Sequence, residues 1–295
     1  MTVSLPFQVR LMAAAVLIGL LAVHSRAQDE DDDKQAAKLA KSAADKSNPV
    51  ASRLKAMKKL ADMGDKGKAA SRGLAGLLLD TSPKVREGAG DALRAVNPDL
   101  HKPLKTLIID EDYYKHYESA VAVGRMGKDG TAGTPVLLGH LKAHTPQLLM
   151  LKDLNADWLE IDDDSPCLIP IIDALAAAGL AGDKTALTKE EKLAADALTK
   201  NGTRLLAVVA DSVALARVAG HEPEVMKELA LYTLTHPNNV IRFGGLAALS
   251  TADPRALKSA LPTLRKLKDD KIAQVRELAV ELCGKVEKAE PPPKK

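Results

Sequence analysis

Aromatic side chains are nearly missing from this sequence. One Trp, two Phe and four Tyr make 2% of its 295 residues. A core built on large rings is excluded, and so is a surface that stacks successive single-stranded bases. Catalytic signatures are missing too. Gly127-Lys128 is followed by Asp129, not Ser or Thr, so there is no phosphate-binding loop. The chain has no Cys-x-x-Cys-His for covalent haem, no His-Glu-x-x-His and no Gly-x-Ser-x-Gly nucleophile elbow. These absences exclude several large enzyme classes, and no cofactor is expected. Cysteine is scarce, with Cys167 and Cys283 alone.

What is present is aliphatic. Hydrophobic residues make 46% of the chain, nearly all Ala, Leu, Val and Ile. Ala and Leu favour helix, and small side chains require thin, closely spaced layers. The composition therefore predicts an all-α protein.

The first residues have the form of an export signal. Arg10 supplies a positive start and Leu11 to Val23 is an unbroken apolar run. Ser25-Arg26-Ala27 then places small residues at −3 and −1 of a cleavage site. The run is shorter than the ~20 residues of a spanning helix, and no Cys follows it to mark a lipoprotein. Residues 1–27 are read as a signal peptide, with an uncleaved anchor as the alternative. Cleavage would take the formal charge from +3 to +1, because Arg10 and Arg26 leave and no acid does. The expected location is a bacterial periplasm or beyond, with no integral span after cleavage.

One pattern recurs. VREGAGDAL (85–93), IRFGGLAAL (241–249) and VRELAVELC (275–283) share a β-branched start, an Arg, small or apolar residues at the fifth and eighth places and an aliphatic or sulfur side chain last. A second pattern precedes the acid before such segments: Leu74-x-x-Leu77-x-x-Asp80, Leu104-x-x-Leu107-x-x-Asp110 and Leu264-x-x-Leu267-x-x-Asp270. A looser copy is Leu138-x-x-Leu141 followed by His144. Each unit reads as a small-faced helix, a turn, a Leu-faced helix and an acid that opens the next unit.

This chain resembles HEAT-repeat proteins, most of all the short bacterial HEAT repeats also found in phycobilin-lyase-like proteins. The resemblance covers roughly 48 to 286, strongly at 66–127 and 236–286. It implies a right-handed α-solenoid of stacked helix pairs. It also implies a ladder in which an Asp at the inter-repeat turn and an Arg six residues later are hydrogen-bonded between neighbouring repeats. Asp80/Arg86 and Asp270/Arg276 keep that spacing; Asp110/His116 and His236/Arg242 keep half of it. Gly88, Ala89 and Ala92 are small because each helix pair lies between two others. Because repeats touch only their neighbours, Cys167 and Cys283 are not expected to meet. Both are expected to be buried small hydrophobes.

The domain reading follows: signal peptide 1–27, charged linker 28–47, repeats 48–288 with an irregular insertion at 145–166, and a Pro/Lys tail at 289–295. The insertion holds Trp158 and Asp162-Asp163-Asp164, which lack the Gly and terminal Glu of a calcium loop. Helices are expected at 66–79, 83–96, 100–109, 112–126 and 134–143. Further helices are expected at 167–180, 188–200, 203–219, 222–234, 238–250, 261–267 and 272–287. The very apolar 203–219 is interrupted by Arg204, Asp211 and Arg217, so it reads as a buried helix rather than a membrane span.

HEAT solenoids bind partners along a concave face lined by the second helix of each pair. Windows 66–79, 100–109, 134–144 and 255–268 contain no Asp or Glu. Aligned on the Leu-x-x-Leu pattern, Lys68 matches Lys258, Arg72 matches Lys102, and Lys105 matches Arg265. These six predict a basic stripe that attracts an anionic partner; the plainer reading is a solvated face. The expected function is an exported, monomeric scaffold that holds a protein partner or an acidic polymer. Nucleic acid is disfavoured by export and by few aromatics. The alternative is a lyase- or isomerase-like enzyme using Tyr113, Tyr114, His116, Tyr117 and Glu118, whose plainer reading is packing. Iron-binding hydroxylases of the same repeat class use several His-Glu pairs; this chain has only His221-Glu222.

Overall fold

Ala and Leu dictate the secondary structure. The computed structural model describes residues 30–109, 113–149, 204–205 and 207–289, and all regular elements among them are helical. No helix among the described residues is long and apolar enough to cross a membrane. Trp158, Cys167, the acidic triplet, the signal sequence, the expected helices at 167–180 and 188–200 and most of the tail lie outside the described residues. Two compact units divide at Pro98 and Asp99.

In the first unit, α1 spans 30–44 and α2 spans Val50–Met63. A 3-10 segment, Gly64–Ala70, leads into α3 (Ser71–Leu77), and α4 is Pro83–Val96. Pro83 begins α4, where a missing N–H leaves no bond unmade. Val85, Ala89, Ala92, Leu93 and Val96 form its buried stripe. That stripe lies against α2, and a Cβ on Gly88 would stand 2.8 Å from Leu54 Cδ2. The small face is thus a condition of helix contact. Leu60, Leu74 and Leu93 are fully buried; each stabilises by ~1.5–3 kcal/mol relative to exposure. The stretch read as a charged linker is mostly α1, whose Ala36 and Ala43 are buried while its charges, except part-buried Asp32, face water.

The second unit contains α5 (Pro98–Ile109), α6 (Tyr113–Arg125), a 3-10 segment (Gly127–Gly133) and α7 (Thr134–His144), with a further 3-10 turn at Thr145–Leu148. It continues with α8 (207–219), α9 (Pro223–Leu234) and α10 (Asn239–Ser250). A 3-10 segment (Pro254–Ala260), α11 (Leu261–Lys266), a 3-10 turn (Leu267–Asp269) and α12 (Ala273–Lys288) complete it. In α8 every side chain but Arg217 is buried, and in α10 every side chain from Asn239 to Leu249 is buried. A helix that is apolar all round belongs inside. Gly244 lets α10 approach Val209 of α8, where a Cβ would come within 3.0 Å.

The second helices differ from the expected continuous α-helices. Three begin as seven-residue 3-10 segments, at Gly64, Gly127 and Pro254. Gly64 and Gly127 have φ of 54° and 55°, in the left-handed region that favours glycine. Each follows a Met, closes the preceding helix and starts the tighter turn that leads back over it.

Candidate functional site

Neither Asp80/Arg86 nor Asp270/Arg276, the pairs expected from the spacing of six, joins through its carboxylate. The buried Asp80 carboxylate accepts from Arg53 Nη2 at 2.6 Å, not from Arg86. Arg86 Nη1 donates instead to the Asp80 backbone carbonyl at 2.8 Å. Asp270 likewise accepts from Arg242, Nε at 2.7 Å and Nη2 at 3.0 Å, while Arg276 Nη1 donates to the Asp270 carbonyl at 2.7 Å. Each rung therefore joins an Arg to the Asp of the following turn, 27 or 28 residues on. The spacing of six reports a side chain-to-backbone bond, not the ion pair. Bonding to Arg53 first, then to the Ser82 N–H, holds the Asp80 carboxyl below the usual carboxylate range.

His236 fills an Asp position without being an acid. Arg242 Nη1 donates to its carbonyl at 3.0 Å, as in the other two turns. Its Nδ1 accepts the Asn238 N–H at 3.0 Å. Asp80 and Asp270 accept the same i+2 N–H through Oδ1 at 2.9 Å. Its Nε2 stands 3.3 Å from the Thr145 carbonyl, closing the turn onto the end of α7. Burial lowers its pKa; the Thr145 carbonyl opposes that shift and the Arg242 charge adds to it.

His116 holds the Arg place of another turn, and it too finds a carboxylate. Its Nε2 lies 3.2 and 3.1 Å from Asp211 Oδ1 and Oδ2, on α8. His140 Nδ1, from α7, lies 3.2 Å from the same His116 nitrogen. The two rings stack with centroids 4.5 Å apart, and the His144 ring stands edge-on to both, at 5.8 and 5.5 Å. Asp211 is fully buried, and His116 and His140 are buried with it. Close contact of α6 with α8 positions the group: a Cβ on Gly124 would lie 3.1 Å from Ala214 Cα. Helical spacing does the rest, since His140 and His144 are one turn apart on one face of α7. Burial above all pushes His140 down to about 4 and lowers His144 as well, so both imidazoles are neutral near pH 7.

Sequence reasoning reached His116 through the 113–118 cluster but not its companions. The side chains of Tyr113 and Tyr114 lie outside the described residues. Tyr117 is half-buried and Glu118 exposed. An open depression of about 440 Å³ between α5 and α6 is lined by Asp99, Lys102, Pro103, Thr106, Glu118 and Met126 among others, without His116. Two signals pointed to the missing members: His140-x-x-x-His144 on a helix, and one acid, Asp211, inside the apolar run of α8.

All six residues of the expected basic stripe are exposed. Lys68 and Arg72 belong to the first unit; Lys102, Lys105, Lys258 and Arg265 belong to the second. The windows 66–79, 100–109, 134–144 and 255–268 carry no acid, but the helical segments that contain or precede them do, with Asp65, Asp99 and Asp129 in their first turns, and neighbouring helices supply more. Arg265 pairs with Glu287 of α12 at 3.1 Å, and Lys66 pairs with Asp32 of α1 at 3.1 Å. Lys142 of α7 pairs with Glu228 of α9. These surface pairs weaken part of the expected positive field.

Compared with protein-family models, curated proteins and solved structures, this chain matches none.

Proposed function

We propose that this chain is an exported HEAT-type repeat protein, a right-handed solenoid of stacked helix pairs that works as a monomeric scaffold for a protein with an acidic surface. The observation that carries the reading is the recurrent rung. Arg53–Asp80 and Arg242–Asp270 span 27 and 28 residues; at both Asp turns an Arg six residues on, Arg86 or Arg276, bonds the Asp carbonyl, and the Asp caps the i+2 N–H. Such a bond set recurs when one supersecondary unit is repeated. The three Gly- or Pro-led 3-10 openings of second helices support the same reading. Exposed Lys102, Lys105 and Lys258 support an anionic partner; Arg265 supports it less, because Glu287 already faces it. Export rests on residues 1–27. A lyase- or isomerase-like use of 113–118 has weaker support, since His116 faces buried Asp211 rather than the open depression.

The test is affinity capture from the cell's envelope fraction with the chain lacking residues 1–27. A defined protein should be held at low salt and released near ~1 M salt, where the Debye length falls to about 3 Å. The triple variant Lys102→Glu, Lys105→Glu, Lys258→Glu should keep its helicity and slow association by about tenfold or more. Capture that ignores both salt and the triple change would end the basic-face reading. Retention of an acidic polysaccharide in place of a protein would identify the other class of partner.

A further inference from the structure

We propose that His116, His140 and His144, with Asp211, bind one divalent transition-metal ion of the zinc class. This site is independent of the scaffold reading. The three imidazoles offer ligand nitrogens that all lie within 4.8 Å of one another. In a tetrahedral site with bonds of ~2.0–2.1 Å, neighbouring donors stand about 3.3–3.4 Å apart. His116 Nε2 to His140 Nδ1 is 3.2 Å, and His116 Nε2 to Asp211 Oδ2 is 3.1 Å. Two edges of such a tetrahedron are therefore already close to the right length.

Proton counting leads to the same place. A ring nitrogen carries one hydrogen or one lone pair, never both. His116 Nε2 faces both oxygens of Asp211 and a nitrogen of His140. If it donates to the carboxylate, it has no lone pair left for a hydrogen from His140. If it accepts from His140, it leaves a buried carboxylate facing a lone pair. The remaining arrangement shares one His116 Nε2 hydrogen among three acceptors, both Asp211 oxygens and a bare His140 Nδ1; a dication bound by the imidazole lone pairs beside that carboxylate serves the group better than one hydrogen does. It also balances the charge of Asp211, which is fully buried on the otherwise apolar α8. Three imidazole nitrogens with a carboxylate beside them suit Zn²⁺, Co²⁺ or Ni²⁺ better than Mg²⁺ or Ca²⁺, which prefer all-oxygen sites.

The three imidazoles are the mutually close donors; Asp211, 3.1 Å from His116 Nε2, stands beside them, and the role expected of a site set among buried side chains is structural. The donors come from α6, α7 and α8. Bound metal would tie α8 to the two helices that precede it by 95 positions at His116–Asp211. A metal that binds only the folded arrangement raises the stability of that arrangement.

The experiment uses the chain lacking residues 1–27, stripped with chelator and carrying no histidine tag. Titration with Co²⁺ should give the visible absorption of tetrahedral cobalt, saturating at about one equivalent with micromolar or tighter affinity. One equivalent of Zn²⁺ should bleach it. His144→Ala should weaken binding by about 100-fold and Asp211→Asn by about 10-fold or more, with circular dichroism checking that each variant is folded. His221→Ala, an exposed control, should change nothing. X-ray absorption at the cobalt edge of the unaltered chain needs no variant and should report three imidazoles and an oxygen. Absence of saturable Co²⁺ binding, an all-oxygen six-coordinate spectrum, or binding lost on His221→Ala and kept on His144→Ala would each overturn the proposal.

Discussion

Arg53 and Asp80 stand 27 residues apart in the chain, yet their side chains meet at 2.6 Å in the interior of the first unit. The same guanidinium donates Nε to the Ala43 carbonyl at 2.7 Å. One Arg thus joins the end of α1 to the turn before α4. Removing it leaves a buried carboxylate with only a backbone cap, so Arg53→Ala should destabilise by ~3–5 kcal/mol. Arg86→Ala, which loses bonds to two carbonyls at a more exposed site, should cost about 1 kcal/mol. Urea denaturation of both variants checks the order. If Arg86→Ala is the worse of the two, Arg53 is not the partner on which Asp80 depends.

Leu107 is buried on α5. Leu107→Ala should cost ~2–5 kcal/mol, from lost transfer energy and the cavity left behind. A change under about half a kcal/mol in the denaturation midpoint analysis would mean that α5 does not face the core through this residue.

At Gly124, α6 lies close against α8. A Cβ there would meet Ala214 Cα at 3.1 Å and Ala214 Cβ at 3.3 Å, and neither can rotate away. Gly124→Ala should therefore destabilise by ~1–3 kcal/mol despite better helix propensity. A gain in melting temperature would show that the two helices do not touch here.

His236 should make folding sensitive to mild acid. Its pKa is lowered in the fold, first by burial, so the folded state resists a proton that the unfolded chain accepts near ~6.5. The stability it contributes is fully present above that pH and falls as pH drops below it. Protonation would also abolish the Nδ1 acceptor for the Asn238 N–H. His236→Asp, which supplies the acceptor used at Asp80 and Asp270, should remove part of the stability loss between about pH 6.5 and 5. Melting curves across that range decide; parallel slopes for the two proteins would refute the assignment.

Cys283 is a free, fully buried thiol on α12. Burial raises its pKa, which starves it of thiolate. Iodoacetamide should label it slowly in the native protein and fully in denaturant, read by mass spectrometry. Equal rates would place it at the surface.

The periodicity of Ala, Leu and Val by itself determined the helices. Pro83–Val96, 207–219 and Ala273–Lys288 lie within a few residues of where spacing and caps put them, because a buried stripe repeats every turn and Pro and Gly mark its ends. Composition also determined the thin contacts, since Gly88 and Gly124 leave room only for another helix. Partnership was a different matter. The interval of six between Asp80 and Arg86 suggested an ion pair; in the fold that interval sets a bond to the backbone, and the carboxylate turns to Arg53. Local spacing reports the first neighbour along the chain and says nothing of a side chain arriving from another helix. The histidine group shows the same limit. His140 and His144 share a face by helical geometry alone, but only the crossing of α6 and α8 brings His116 to Asp211 across 95 residues of sequence. That meeting depends on tertiary contact, where burial of His116, His140 and Asp211 makes polar side chains depend on one another in place of water.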